Sequence, residues 1–130
     1  MILKRILAWF GMTVGLTCWS LNSVARASEQ AVIVHFLYKS DNLMPLFTLE
    51  EQLIAAVKTA DVGEYDGHEI ATNYRDGYLY LYGPDADRLF ETIVPILKAQ
   101  NFMLGARITK RYGPPADRSR ETVIQLTEEN

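Results

Sequence analysis

Four side chains that could bind a metal or transfer protons lie close together in the segment VGEYDGHEI. They are Glu64, Asp66, His68 and Glu69. Carboxylate oxygens with one imidazole suit several divalent metals, and the same groups serve in acid/base catalysis. The spacing matches neither the EF-hand loop nor the HExxH zinc motif. A metal-dependent or acid/base enzyme centred on Asp66, His68 and Glu69 is therefore one hypothesis, although these remain weak metal candidates.

The same segment also has a backbone interpretation. An Asp-Gly pair, here Asp66-Gly67, is typical of a tight turn. If residues 68–72 form a strand, His68 and Glu69 point to opposite faces, so the four groups do not all converge. We therefore expect residues 64–67 to form a turn that leads into a short strand.

A second set of candidate residues lies in the segment YLYLY, residues 78–82. Strict alternation predicts a half-buried strand with its leucines turned inward and Tyr78, Tyr80 and Tyr82 on the other face. Basic side chains alternate in the same way in the predicted strand 105–113, which contains Arg107 and Arg111. Together with His35 of the first strand, these residues predict an aromatic and basic sheet face that could bind a partner.

The first 27 residues have the three features of a secretory signal peptide. Lys4 and Arg5 form a positive head, an apolar run covers residues 6–19, and Ala25-Arg26-Ala27 fits a cleavage site. We therefore expect a signal peptide at 1–27, a single domain at 28–130, and export to the periplasm or the outside of the cell. The alternatives are an uncleaved membrane anchor and, less favoured by the residues before it, lipidation of Cys18.

Charge bears on the choice of partner. Loss of residues 1–27 removes three basic and no acidic side chains, which leaves ten basic against sixteen acidic ones and a net charge of −6. An aromatic, basic sheet face can bind RNA, but an acidic exported domain disfavours nucleic acid and anionic membranes. Contact with a membrane would then require an uncleaved signal segment.

The predicted elements follow the order β-α-β-β-α-β with one further strand. Strands are predicted at 31–39, 68–72, 78–82, 105–113 and 121–127, and helices at 47–60 and 83–101, the first with an N-cap at Thr48 and a capping box to Glu51. This order predicts an α+β, ferredoxin-like antiparallel sheet with both helices on one face. The extra C-terminal strand should pair with the fourth strand across the Pro-Pro loop.

Three segments, GEYDG, YGPDAD-x-LF and RYGPP, lie between residues 46 and 115. With them the chain resembles a family of small bacterial ferredoxin-like domains of uncharacterised function. The resemblance implies the fold and adds no reaction and no catalytic residues.

Nucleophilic catalysis has little support in the sequence. No serine of residues 28–130 lies in a GxSxG motif, and the only cysteine, Cys18, precedes them. The sequence indicates no cofactor. It favours a non-catalytic binding module whose open sheet face, with Tyr78, Tyr80, Tyr82, Arg107 and Arg111, contacts a protein, a ligand or a second copy of the chain.

Overall fold

The computed structural model describes residues 3–6, 29–115 and 118–129. Its strands are β1 (Leu3–Ile6), β2 (Gln30–Leu37), β3 (Glu64–Ala71), β4 (Asp76–Gly83), β5 (Arg107–Arg111) and β6 (Glu121–Gln125). Its helices are α1 (Met44–Ala60), α2 (Ala86–Lys98) and a short 3₁₀ helix, Asn101–Met103.

The described strands form one antiparallel sheet in the order β1-β3-β4-β2-β5-β6. From β2 to β5 the chain follows the ferredoxin-like βαββαβ plan, and β6 pairs with β5 across the Pro-Pro loop. The predicted α+β fold and its extra C-terminal strand are therefore confirmed. Strand β1 lies within the predicted signal segment, and residues 7–27 of that segment lie outside the described residues. Within the described residues, no helix is long and apolar enough to cross a membrane.

The core lies between one face of the sheet and the two helices. Strand alternation turns Val32, Val34 and Phe36 of β2 and both leucines of β4 into this layer, where all are almost fully buried. The helices bury residues at helical spacing against them, namely Leu49, Leu53, Val57, Leu89, Ile93 and Leu97. Burying each such side chain contributes about 1.5–3 kcal/mol, so this layer is the main source of stability.

The two helix starts differ from each other in their caps. Asp85 caps α2, because its Oδ1 accepts hydrogen bonds from the backbone N–H groups of Asp87 and Arg88 at 3.0 and 3.2 Å. The prediction of Thr48 as the α1 N-cap is wrong. Helix α1 begins one turn earlier, with Pro45 in its first turn, and Thr48 donates to the Met44 carbonyl inside the helix. The fixed φ of proline favours this earlier start.

The prediction of a turn at residues 64–67 is also wrong, because β3 runs through the whole segment. Tyr65 pairs with Leu81 and Gly67 with Tyr80, which leaves Asp66 as the extra residue of a β-bulge. Gly67 has a φ of 137° at this point, where a side chain would be strained. The bulge has a further effect. Tyr65 and His68 are three residues apart and would face opposite sides of a regular strand, but here both face the helices.

Candidate functional site: the open sheet face

The sheet face opposite the helices, called the open face below, consists of three rows of residues that cross β6, β5, β2, β4 and β3. The first row is Gln125, Arg107, His35, Tyr78 and Glu69. The middle row is Val123, Thr109, Ile33, Tyr80 and Gly67. The third row is Glu121, Arg111, Ala31, Tyr82 and Glu64. Because directly paired residues share a face, the register alone places all fifteen on this side.

The structure places all five predicted binding residues on the open face. The three tyrosines are half-buried by their neighbours on the sheet, Arg107 is exposed, and Arg111 is partly exposed. Leu37, which pairs with Asp76 beyond the first row, is 58% exposed, and Val123 is 49% exposed. The face therefore combines accessible aromatic and aliphatic surface with two cationic groups.

The aromatic rings of this face form a continuous ladder. His35 stacks on Tyr78 with ring centroids 4.5 Å apart and an interplanar angle of 26°, and Tyr78 stacks on Tyr80 at 6.2 Å and 16°. His35 Nε2 lies 2.8 Å from Asp76 Oδ2, which fixes the imidazole at the end of the ladder. Rings held in this way lose little further conformational entropy when a partner binds.

Tyr80 is tied to the acidic side of the face. Partial burial, and then the charge and hydrogen bond of Glu69, raise the pKa of Tyr80 to about 12. The phenol therefore stays protonated near neutral pH and serves as a hydrogen-bond donor to the Glu69 carboxylate. This bond ties the Glu69 carboxylate to the aromatic ladder on the open face.

The two arginines present their charge differently. Arg111 Nε donates to the Gly113 carbonyl oxygen at 2.7 Å, which holds the guanidinium in place and leaves its two terminal nitrogens as donors. Among the described residues, neither Arg107 nor Arg111 forms an ion pair within 4.0 Å. Two positive charges therefore lie on β5, next to Glu121 of β6, which pairs with Arg111, whereas Glu64 and Glu69 place negative charge on β3, three strands from β5.

The weak metal candidates do not meet. His68 is 1% exposed and faces the helices, Glu69 lies on the open face, and Asp66 is the extra residue of the bulge. Among the described residues there is no group of three or more histidine, cysteine, aspartate or glutamate side chains that could hold a metal ion. Strand alternation separates His68 from Glu69, and the bulge removes Asp66 from the face that it would share with His68 in a regular strand.

His68 instead belongs to a buried polar cluster with Glu50 and Tyr65. Glu50 Oε1 lies 2.5 Å from both the Tyr65 hydroxyl and His68 Nδ1. An ionised carboxylate only accepts hydrogen bonds, so both partners donate. Burial, and then the negative charge of Glu50, raise the pKa of the Tyr65 hydroxyl above its ordinary value. His68 Nε2 is buried without a hydrogen-bond partner among the described residues.

Glu50 was not among the predicted site residues, although its spacing in the sequence indicates a buried position. Glu50 follows Leu46 by four residues and precedes Leu53 by three and Val57 by seven, so it lies on the apolar stripe of α1. A carboxylate at such a position requires buried partners. Those partners come from β3, and only the bulge brings Tyr65 to the same side as His68.

No protein-family model, curated protein or solved structure matches this chain. The resemblance carried by the GEYDG, YGPDAD-x-LF and RYGPP segments remains a prediction.

Proposed function

We propose that this chain is a non-catalytic binding module that contacts a protein or ligand through the open face. The aromatic ladder is the observation that carries the proposal. Tyr78 and Tyr80 supply broad, preorganised contact area, and Arg107 and Arg111 lie within two strands of them. Tyrosine and arginine are the side chains that most often dominate binding energy at protein interfaces.

The exposed aliphatic side chains support the same proposal. Four large hydrophobic side chains are exposed among the described residues, and two of them, Leu37 and Val123, belong to this face. Scattered apolar residues are normal on a protein surface, but here they flank the aromatic ladder on one side of the sheet. A partner that covered the face would remove this area from water.

A double substitution tests the proposal. Tyr80→Ala with Arg111→Ala removes one end of the ladder and one cation without touching the helix-side core. A matched control, Lys58→Ala with Glu91→Ala, changes two exposed residues of the helices. Crosslinking and affinity capture from the native envelope fraction should give the same partner with the wild type and the control, and none with the open-face variant. Retention of the partner by a folded open-face variant would show that the face is not the binding site.

We further propose that the protein is exported and that residues 1–27 are removed, which leaves 28–130 as the working domain. The charged head, apolar run and Ala-Arg-Ala site support this proposal. Cell fractionation followed by intact-mass measurement should detect a chain that begins at Ser28 outside the cytoplasm. A full-length chain in the membrane fraction would indicate an uncleaved anchor, and a full-length cytoplasmic chain would contradict export.

A further inference from the structure

The open face carries opposite charges on its two sides, and this distribution is complementary to itself. Arg107 and Arg111 lie on β5, and Glu69 and Glu64 lie in the same two rows three strands away on β3. Beyond them, Glu121 of β6 pairs with Arg111, and β1, which the proposed cleavage removes, pairs with β3. Building on the proposed function, we propose that the partner of the open face is a second copy of this chain. The two sheets would pack face to face around a two-fold axis parallel to the strands.

This axis pairs each cation with an anion. A two-fold axis along the strands, between β2 and β4, exchanges the two sides of the sheet and keeps each row opposite itself. Arg107 then faces the partner's Glu69, and Arg111 faces the partner's Glu64. Each contact occurs twice because the dimer is isologous, so the interface contains four arginine–glutamate pairs.

The middle row supplies the apolar centre of the same interface. Ile33 and Tyr80 are neighbours on β2 and β4, and the axis passes between them. Ile33 therefore packs on the partner's Tyr80, and the partner's Ile33 packs on Tyr80. An apolar and aromatic centre with charged pairs at its edges is the usual anatomy of a protein interface.

The charges also exclude the other face-to-face arrangement. A two-fold axis across the strands would place β5 on β5 and β3 on β3, which sets arginine against arginine and glutamate against glutamate. Like charges placed directly opposite each other are destabilising. A partner of uniform charge would likewise meet attraction on one side of the face and repulsion on the other, so a second copy fits better.

The size of the face predicts a weak dimer. Five strands at a spacing of about 4.8 Å, each contributing about five residues of 3.4 Å, give a footprint of roughly 400 Å² per subunit. Stable interfaces bury about 800 Å² per partner. We therefore expect dimerisation that depends on protein concentration. It should weaken as salt is added, because salt screens ion pairs at the exposed rim of an interface.

Charge reversal tests the arrangement, because in a two-fold dimer both partners of each pair change together. Arg111→Glu should weaken dimerisation roughly tenfold or more, since it creates two like-charge contacts. Adding Glu64→Arg to the same chain exchanges the signs of each pair and should restore most of the affinity. Lys58→Glu on the exposed side of α1 changes the net charge by the same amount as Arg111→Glu and is the matched control.

Sedimentation velocity over a concentration series measures the dimer constant of the chain in the form that accumulates in its host. The wild type and the control should dimerise, more tightly at low salt than at high salt, and circular dichroism should show that every variant is folded. A wild type that stays monomeric, or a double exchange as weak as Arg111→Glu alone, would overturn the inference. A monomeric wild type that still captures another protein through Tyr80 and Arg111 would reject only the second copy and leave the proposed function intact.

Discussion

Glu50 provides the sharpest test of how this fold tolerates buried charge. The Glu50→Leu substitution keeps a side chain of similar size on the apolar stripe of α1. It removes the only carboxylate that accepts hydrogen bonds from Tyr65 and His68 in the described structure. Both donors remain on the helix side of β3, where His68 is 1% exposed and Tyr65 is partly buried.

The expected loss follows from these two donors. Each buried donor left without an acceptor costs about 1–3 kcal/mol, so Glu50→Leu should destabilise the domain by roughly 2–5 kcal/mol. The free energy of unfolding of a small domain is about 5–15 kcal/mol, so this loss is a large part of its stability. The triple variant Glu50→Leu, Tyr65→Phe, His68→Leu removes donors and acceptor together and should return to within about 1 kcal/mol of the wild type.

Urea unfolding followed by far-ultraviolet circular dichroism measures these differences, provided that the slope of the transition is unchanged. Glu51→Leu is the matched control, because Glu51 is the exposed neighbour on the same helix and should change stability by less than about 0.5 kcal/mol. The reasoning fails if Glu50→Leu is as stable as the wild type. It also fails if the triple variant is no more stable than Glu50→Leu alone.

Three further predictions concern a cap, a titration and a backbone contact. Asp85→Ala should cost about 1 kcal/mol in urea unfolding because it removes the α2 cap, whereas Thr48→Ala should cost little, and equal losses would contradict the observed helix starts. The tyrosinate absorbance of Tyr80, obtained by difference from Tyr80→Phe, should appear near pH 12. Since the folded pKa of Tyr80 lies above the ordinary value of 10.0, the stability that Tyr80 contributes is complete below pH 10 and is lost as the pH rises towards 12. A titration midpoint of Tyr80 near pH 10 would contradict the bond to Glu69. Gly63→Ala should cost about 2–4 kcal/mol, because the added Cβ would overlap the Tyr82 carbonyl oxygen at a φ of 149°, and an unchanged unfolding midpoint would refute this contact.

The alternation of residues 78–82 was sufficient to predict the open face. Two leucines between three tyrosines leave only one way to orient a strand that is covered on one side. Leu49, Leu53 and Val57 of α1 likewise recur at helical spacing in the sequence, and the structure buries all three. These patterns are local and periodic, so the order βαββαβ with a further strand could be read without tertiary information.

Periodicity could not predict the backbone conformation of the segment VGEYDGHEI. An Asp-Gly pair is compatible with a tight turn or with a bulged strand, and only pairing with β4 selects the bulge. The pairing of β3 with β4 also decides which face each residue takes. Glu69 lies with Tyr80 on the open face, and His68 lies with Glu50 on the helix side. Contacts between residues eighteen positions apart, such as Glu50 and His68, have no periodic trace in the sequence.

The sequence by itself determined the class of fold, the inward and outward faces of β4, and the separation of His68 from Glu69. Each follows from side-chain periodicity, which is a property of the backbone and is independent of what packs against it. Only the tertiary structure decided that β3 is bulged, that Glu50 is buried, and that the charges of β5 and β3 lie three strands apart in shared rows. Strand order and register fix these relations, and both arise from contacts between segments far apart in the chain.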